Sequence, residues 1–240
     1  MSGTILLKDY LHRWKVRSMR AFSKREKIKA VILYLLITLN LLFGYGILTA
    51  IAPRINDSTI WTILQSITLA ITLLFWGGDF LDSVQMFFKD LKSILKMVEN
   101  LLFMALFFNF AASVICSLFV NVQETEIVFP SLWGRICYLF VGAFFAPITE
   151  ELSMRFGMFN AIYPHHRKLA YIITAFLFGL NHIWSAIFSG NVSGMILIIP
   201  PIIFGLFACR IYEKSQNICC SILLHMINNG ISILLTVICP

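Results

Sequence analysis

The chain has 240 residues, of which 59% are hydrophobic and only 13% charged, with a formal net charge of +7. A mean hydropathy of +0.83 and about half the charged share of a soluble domain exclude an ordinary water-soluble fold. They specify an all-α, polytopic transmembrane helical bundle.

In chain order, residues 1–29 come first and carry most of the positive excess, with Lys8, Arg13, Lys15 and Arg17 followed by Arg20, Lys24, Arg25, Lys27 and Lys29 against only Asp9 and Glu26. No nucleic-acid-reading motif accompanies these cations, so no nucleic-acid partner is expected. Beside a membrane span they read as a cytoplasmic segment drawn to anionic lipid. About thirty polar residues precede the first apolar run, so no cleavable signal peptide is expected.

A hydrocarbon core takes about twenty apolar residues per helix. About seven spans are predicted, over 30–52, 58–77, 100–121, 132–160, 169–189, 194–209 and 217–238. Residues 78–99 alternate apolar side chains such as Phe80, Val84 and Ile94 with Asp79, Lys89, Lys92 and Lys96, which predicts an amphipathic helix lying in the interface. The chain thus divides into N-terminal spans over 30–122 and a second membrane unit over 130–238. With the N-terminus inside, the inner loops hold Lys89, Lys92, Lys96, Arg167, Lys168, Arg210 and Lys214. The outer loops hold Arg54, Asp57, Glu124 and Glu126. That asymmetry places the N-terminus in the cytoplasm and the C-terminus outside. The six cysteines show no CxxC spacing and read as small packing residues.

Two adjacent carboxylates, Glu150 and Glu151, follow the apolar run Cys137–Ile148. A carboxylate at membrane depth is costly and marks a functional site when a partner can be named. Arg155 stands four residues after Glu151, on the same helix face, which assigns Glu151 to an ion pair and leaves Glu150, about 100° round the helix, for chemistry. Pro147 is expected to kink the helix there. Glu150 and His182 lie sixteen residues either side of His166, so a helical hairpin centred there puts both at one depth. His225 and Asn229 share a face of the last span at a similar level. Two chemistries are open to one Glu and two His. Glu150, His182 and His225 can bind zinc or another divalent metal with a water in the open position. Alternatively, Glu150 and His182 polarise a water directly while His225 and Asn229 donate to an oxyanion. His165 and His166 belong to the loop, His12 to the basic segment, and Ser153 has no hydrolase spacing.

These residues resemble the CAAX protease and bacteriocin-processing family of intramembrane proteases. The segment Glu150-Glu151-Leu152-Ser153-Met154-Arg155 is similar to its EExxxR motif, Phe178 to His182 to its FxxxH motif, and His225 to Asn229 to its HxxxN motif, in the expected order. Met154 stands where the family often has Phe. The resemblance covers roughly residues 130–235. It implies that Glu150 activates water with His182, that His225 and Asn229 stabilise the oxyanion or complete the site, and that Glu151, paired with Arg155, and Phe178 orient it. The implied activity is an endopeptidase, metallo- or glutamate-dependent, acting on a membrane-anchored peptide or a lipidated or prenylated protein C-terminus. A bacterial plasma membrane is the implied location. The alternatives are a non-proteolytic bacteriocin self-immunity or scaffold protein of the same fold, and a proton-relaying transporter.

Overall fold

Ser23 starts the first helix with a capping box: its hydroxyl accepts from the Glu26 backbone N–H, and the Glu26 carboxylate accepts from the Ser23 N–H. A computed structural model describes this helix and the rest of residues 21–52, 54–120 and 132–238. The acidic outer loop 122–131 and most of the basic N-terminal segment lie outside the described residues. Helix α1 runs Lys24–Ile51, with a π turn at Asn40–Gly44. Helix α2 is Asp57–Lys89, opened by Asn56 accepting from the Thr59 N–H at 2.9 Å. Helix α3 is Leu91–Ser117. Helix α4 covers 132–162, α5 is Arg167–His182, α6 is Ser193–Ser215 and α7 is Ile218–Ile238.

Five of these, α1, α2, α3, α4 over Gly134–Ile162 and α6, are long and apolar enough to cross a membrane, and α7 holds a shorter apolar stretch at Ile218–Leu234. Among the described residues the regular structure is entirely helical. The chain is an integral membrane helical bundle.

Two expectations change. Residues 78–99 are not a separate interfacial helix. Their first half continues α2 and their second half opens α3, with the break at Asp90. At 1.5 Å per residue the 33 residues of α2 reach about 50 Å, well past a hydrocarbon core of about 30 Å. The charges of 78–99 therefore belong to the end of α2 and the start of α3. The span predicted over 169–189 stops at His182. A short helix Trp184–Phe188 follows, then a left-handed turn at Gly190 and a tight 3₁₀ start to α6 before Pro200.

Several polar groups of α1 and α2 find partners within or between these helices. Thr68 and Thr72 donate to carbonyls one turn back at 2.7 and 2.8 Å, and Asn40 donates to Thr68 at 2.8 Å, tying the α1 π turn to α2. Trp76 of α2 packs against Phe22 and against Phe156 of α4, ring centroids 5.4 and 5.1 Å apart. Helices α5 and α6 approach through small residues. A Cβ on Gly205 would sit 3.0 Å from the Ala175 Cα, and one on Gly179 would sit 2.7 Å from Ile202. Dispersion contact between closely spaced backbones is what holds helices together in lipid.

One end of the bundle collects the turns. Lys27 of α1 lies 2.7 Å from the His165 ring in the α4–α5 turn, and Asn217 before α7 donates to the Ser83 carbonyl of α2 at 2.9 Å. The carboxylates of α4 lie deeper, against α7.

Candidate active site in the second membrane unit

The site begins with a fault in helix α4. Pro147 has no N–H, and residues 141–145 just before it form a π turn in which the Ala146 N–H reaches back to the Val141 carbonyl. In that register the next donor would be residue 147, so the Gly142 carbonyl loses its intrahelical partner. Asn229 of α7 supplies one, its Nδ2 donating to the Gly142 oxygen at 3.0 Å. Gly142 also lies close to α7: a Cβ there would sit 2.9 Å from the tip of the Ile233 side chain, one turn past Asn229. A second π stretch, Leu152–Phe159, follows the carboxylates. The six α-helical residues Ala146–Glu151 are thus held between two widened segments.

The two glutamates have different surroundings. Glu151 is fully buried, and its Oε1 accepts from Arg155 Nη1 at 2.9 Å and from His225 Nδ1 at 2.9 Å. Arg155 is also fully buried, its guanidinium stacked 4.4 Å from the centre of the Phe178 ring. The Glu150 side chain is 27% exposed, and its Oε2 lies 3.9 Å from His225 Nε2. His225 therefore stands between the carboxylates with one ring nitrogen toward each. Because Glu151 only accepts, Nδ1 carries the proton, and in the neutral ring Nε2 is an acceptor.

His182 is the last residue of α5, and its Nδ1 lies 2.8 Å from the Phe178 carbonyl, which makes Nδ1 the donor and, in the neutral ring, Nε2 an acceptor. No hydrogen bond or ion pair joins His182 to Glu150 among the described residues. His182 is related instead to His225, through Phe178, whose ring centre is 4.6 Å from that of His182 and 5.6 Å from that of His225. The π turns of α4 take more residues per turn than α5, so equal residue counts from His166 do not give equal rise in the two arms.

Sequence reasoning missed three contributors. Phe204 of α6 packs 4.9 Å from the His225 ring. Asn109 of α3 donates to Asn228 Oδ1 at 2.8 Å, and Asn228 in turn donates to Asn229 Oδ1 at 3.3 Å. This line of amides ends on the Gly142 carbonyl and fixes which way Asn229 points. Asn109 could have been noticed as a lone amide in an apolar run. The role of Gly142 was foreshadowed only by the proline five residues on.

Buried side-chain polar atoms without a hydrogen-bond partner concentrate here. Thr149 Oγ1, Glu150 Oε2, Glu151 Oε2, Ser153 Oγ and Arg155 Nε and Nη2 are all of this kind. Each such atom costs about 1–3 kcal/mol, and a cluster of them demands an explanation.

The donor chemistry of the two histidines is that of metal ligands, each with one nitrogen held by a carboxylate or a carbonyl. Among the described residues, however, no three His, Cys, Asp or Glu side chains are gathered to hold an ion. As arranged, Glu150, His182 and His225 do not form a ligand set, and no step below is routed through a metal.

Residues 131–231, somewhat under half of the chain, match the family model described as Rce1-like, type II CAAX prenyl endopeptidase. No curated protein and no solved structure matches the chain.

Proposed function

We propose, from the match of residues 131–231 to the Rce1-like family model, that the chain is an intramembrane endopeptidase of the CAAX protease family and hydrolyses a peptide bond with a water activated by Glu150. One observation carries this reading: Glu150 Oε2 and His225 Nε2 face each other across 3.9 Å, and with the ring neutral both are acceptors. Two acceptors at that separation need a shared donor, and one water supplies a hydrogen to each.

In the reaction Glu150 takes a proton from that water, and the oxygen adds to the substrate carbonyl carbon as the carbonyl electrons move onto its oxygen. Asn229 uses one amide N–H on Gly142 and directs the other to the developing oxyanion. Collapse breaks the C–N bond, and protonated Glu150 returns its proton to the leaving amine. Glu151, paired with Arg155, keeps the His225 Nδ1 proton in place so that Nε2 stays an acceptor. His182 shares in activating the water, a role the family resemblance implies, and its bond to the Phe178 carbonyl leaves Nε2 as the acceptor this requires.

The substrate class is a membrane-anchored peptide or a lipidated, prenylated protein C-terminus that enters laterally between helices. The cation-bearing end of the bundle faces the cytoplasm in this reading, which puts the C-terminus outside.

The test is mass spectrometry of membrane-associated peptides from cells producing wild type or Glu150→Gln at matched levels. Fragments found only with wild type support a protease and show its cut site. Identical peptides would overturn it in favour of a binding or immunity role. Turnover by the purified chain should persist after exhaustive chelation; loss that returns with added zinc would replace the metal-free route.

A further inference from the structure

Away from the carboxylates, α5 and α6 enclose a cavity of about 550 Å³ at the charged end of the bundle. Its walls change character with depth. On α5, Arg167 and Lys168 form the first turn, and Ile172 stands four to five residues further in, about 6–7 Å at 1.5 Å per residue. On α6, which runs the opposite way, Arg210 is nearest the end, and Phe207 and Leu206 lie three to four residues deeper, about 5 Å. Both walls therefore pass from basic to apolar over the same short distance.

The groove is open on the outer face of the bundle, with Ile172 and Leu206 exposed. Its cations are positioned rather than loose. Glu213 accepts from Arg167 Nε and Nη2 at 2.6 and 2.9 Å and from Arg210 Nη1 at 2.7 Å, while the Tyr163 and Tyr171 hydroxyls donate to it at 2.6 Å each. The Tyr163 phenol, in the turn outside the spans, is pushed above its usual range, first by burial and then by its bond to that carboxylate. Half of each guanidinium side chain stays exposed, and Lys168 makes no ion pair among the described residues. Three cations against one carboxylate leave a net charge of +2 at the rim (3 − 1).

The geometry points to a binding site for an anionic phospholipid of the surrounding bilayer, its phosphate on Arg167, Lys168 and Arg210 and an acyl chain along Ile172, Leu206 and Phe207. A zwitterionic lipid offers the same chain but no net charge to answer the rim. The site is separate from the proposed hydrolysis and does not depend on it.

The full-length chain, delipidated in neutral detergent, is titrated with phosphatidylglycerol and phosphatidylcholine of identical chains, and retained lipid is counted by native mass spectrometry. Wild type and Glu150→Gln should both retain phosphatidylglycerol preferentially. Each cation removed should weaken that preference roughly fivefold, the equivalent of about 1 kcal/mol per basic residue at an anionic surface. Lys168→Gln tests this at an exposed position outside the Glu213 cluster, and Lys168→Gln with Arg210→Gln tests it more strongly. Leu206→Trp, filling the apolar floor, should reduce retention of both lipids. Equal retention of the two lipids by wild type, or an unchanged preference in the double variant, overturns the proposal. Glycerol phosphate binding as well as the intact lipid would also overturn it, making the rim a free-phosphate site. Displacement of phosphatidylglycerol by neutral N-acetyl farnesylcysteine methyl ester would overturn it too, reassigning the groove to a substrate's prenyl chain.

Discussion

Glu151 and Glu213 are both glutamates paired with arginine, one deep against α7 and one near the end of α6, yet they are completed differently. Glu213 receives five hydrogen bonds spread over both oxygens. Glu151 receives two, both on Oε1, while its Oε2 and the neighbouring Glu150 Oε2 have none. A structural ion cluster saturates its acceptors, because every unpaired lone pair away from water is a loss. A reacting site keeps polar atoms without protein partners, because water and substrate must bond to them during the reaction. The contrast in saturation, more than the presence of buried charge, separates the α4 carboxylates from the ion cluster that shapes the groove.

The most severe break of that contrast is Glu150→Gln. The amide cannot take a proton from water, so turnover should fall by about 10²–10⁴, the usual worth of a general base. Folded yield should be unchanged, since the Glu150 Oε2 has no protein hydrogen bond to lose. Cleavage of the identified peptide and size-exclusion profiles in detergent check the two halves, and preserved turnover would remove Glu150 from the chemistry. Arg155→Ala should do the opposite. It strands a buried carboxylate and removes the stack on Phe178, costing about 3–5 kcal/mol. The readout is a collapse in folded yield and in the temperature of aggregation. Arg155→Lys, which keeps the charge but not the flat stacked fork, should fall between. A normal yield for Arg155→Ala would mean that His225 alone suffices for Glu151.

The ion pair was legible because it is local: Glu151 and Arg155 are four residues apart and meet at 2.9 Å. The all-α membrane class was legible because hydropathy is additive along the chain. The partners of His225 and Asn229 were not, since those contacts cross 74 and 87 residues and depend on how α7 lies against α4. Pro147 announced a fault in the helix, but which carbonyl it would release depends on the π register, which has no sequence signature in hand. Residues 78–99 misled for a physical reason. Mixed charged and apolar composition is shared by a helix lying in the interface and by the adjoining ends of two longer helices, and only the helix break at Asp90 distinguishes them.

Weaker breaks sharpen the comparison at the supporting bonds. Asn229→Ala uncovers the Gly142 carbonyl and should cost about 1–3 kcal/mol. It should also lower turnover through the oxyanion. Asn109→Ala should cost less, because Asn229 keeps its own bond to Gly142 and loses only the relay that aims it. If Asn109→Ala lowers turnover while leaving the aggregation temperature alone, the amide line positions Asn229 rather than merely joining α3 to α7. The smallest stability effect is expected for Glu213→Gln. The neutral amide still offers an oxygen to Tyr163, Tyr171 or one arginine, and the guanidiniums it releases are half in solvent, so the loss should be about 1 kcal/mol. Its effect on lipid should run the other way: with the Glu213 carboxylate neutralised, net charge at the rim rises from +2 to +3 among the described residues and phosphatidylglycerol should be held more tightly. A saturated acceptor that can be neutralised at little cost to folding, beside an unsaturated one that cannot be changed without losing turnover, is the difference expected between a cluster that shapes a surface and one that carries a reaction. A large loss of folded protein in Glu213→Gln would show instead that both carboxylates hold the bundle together.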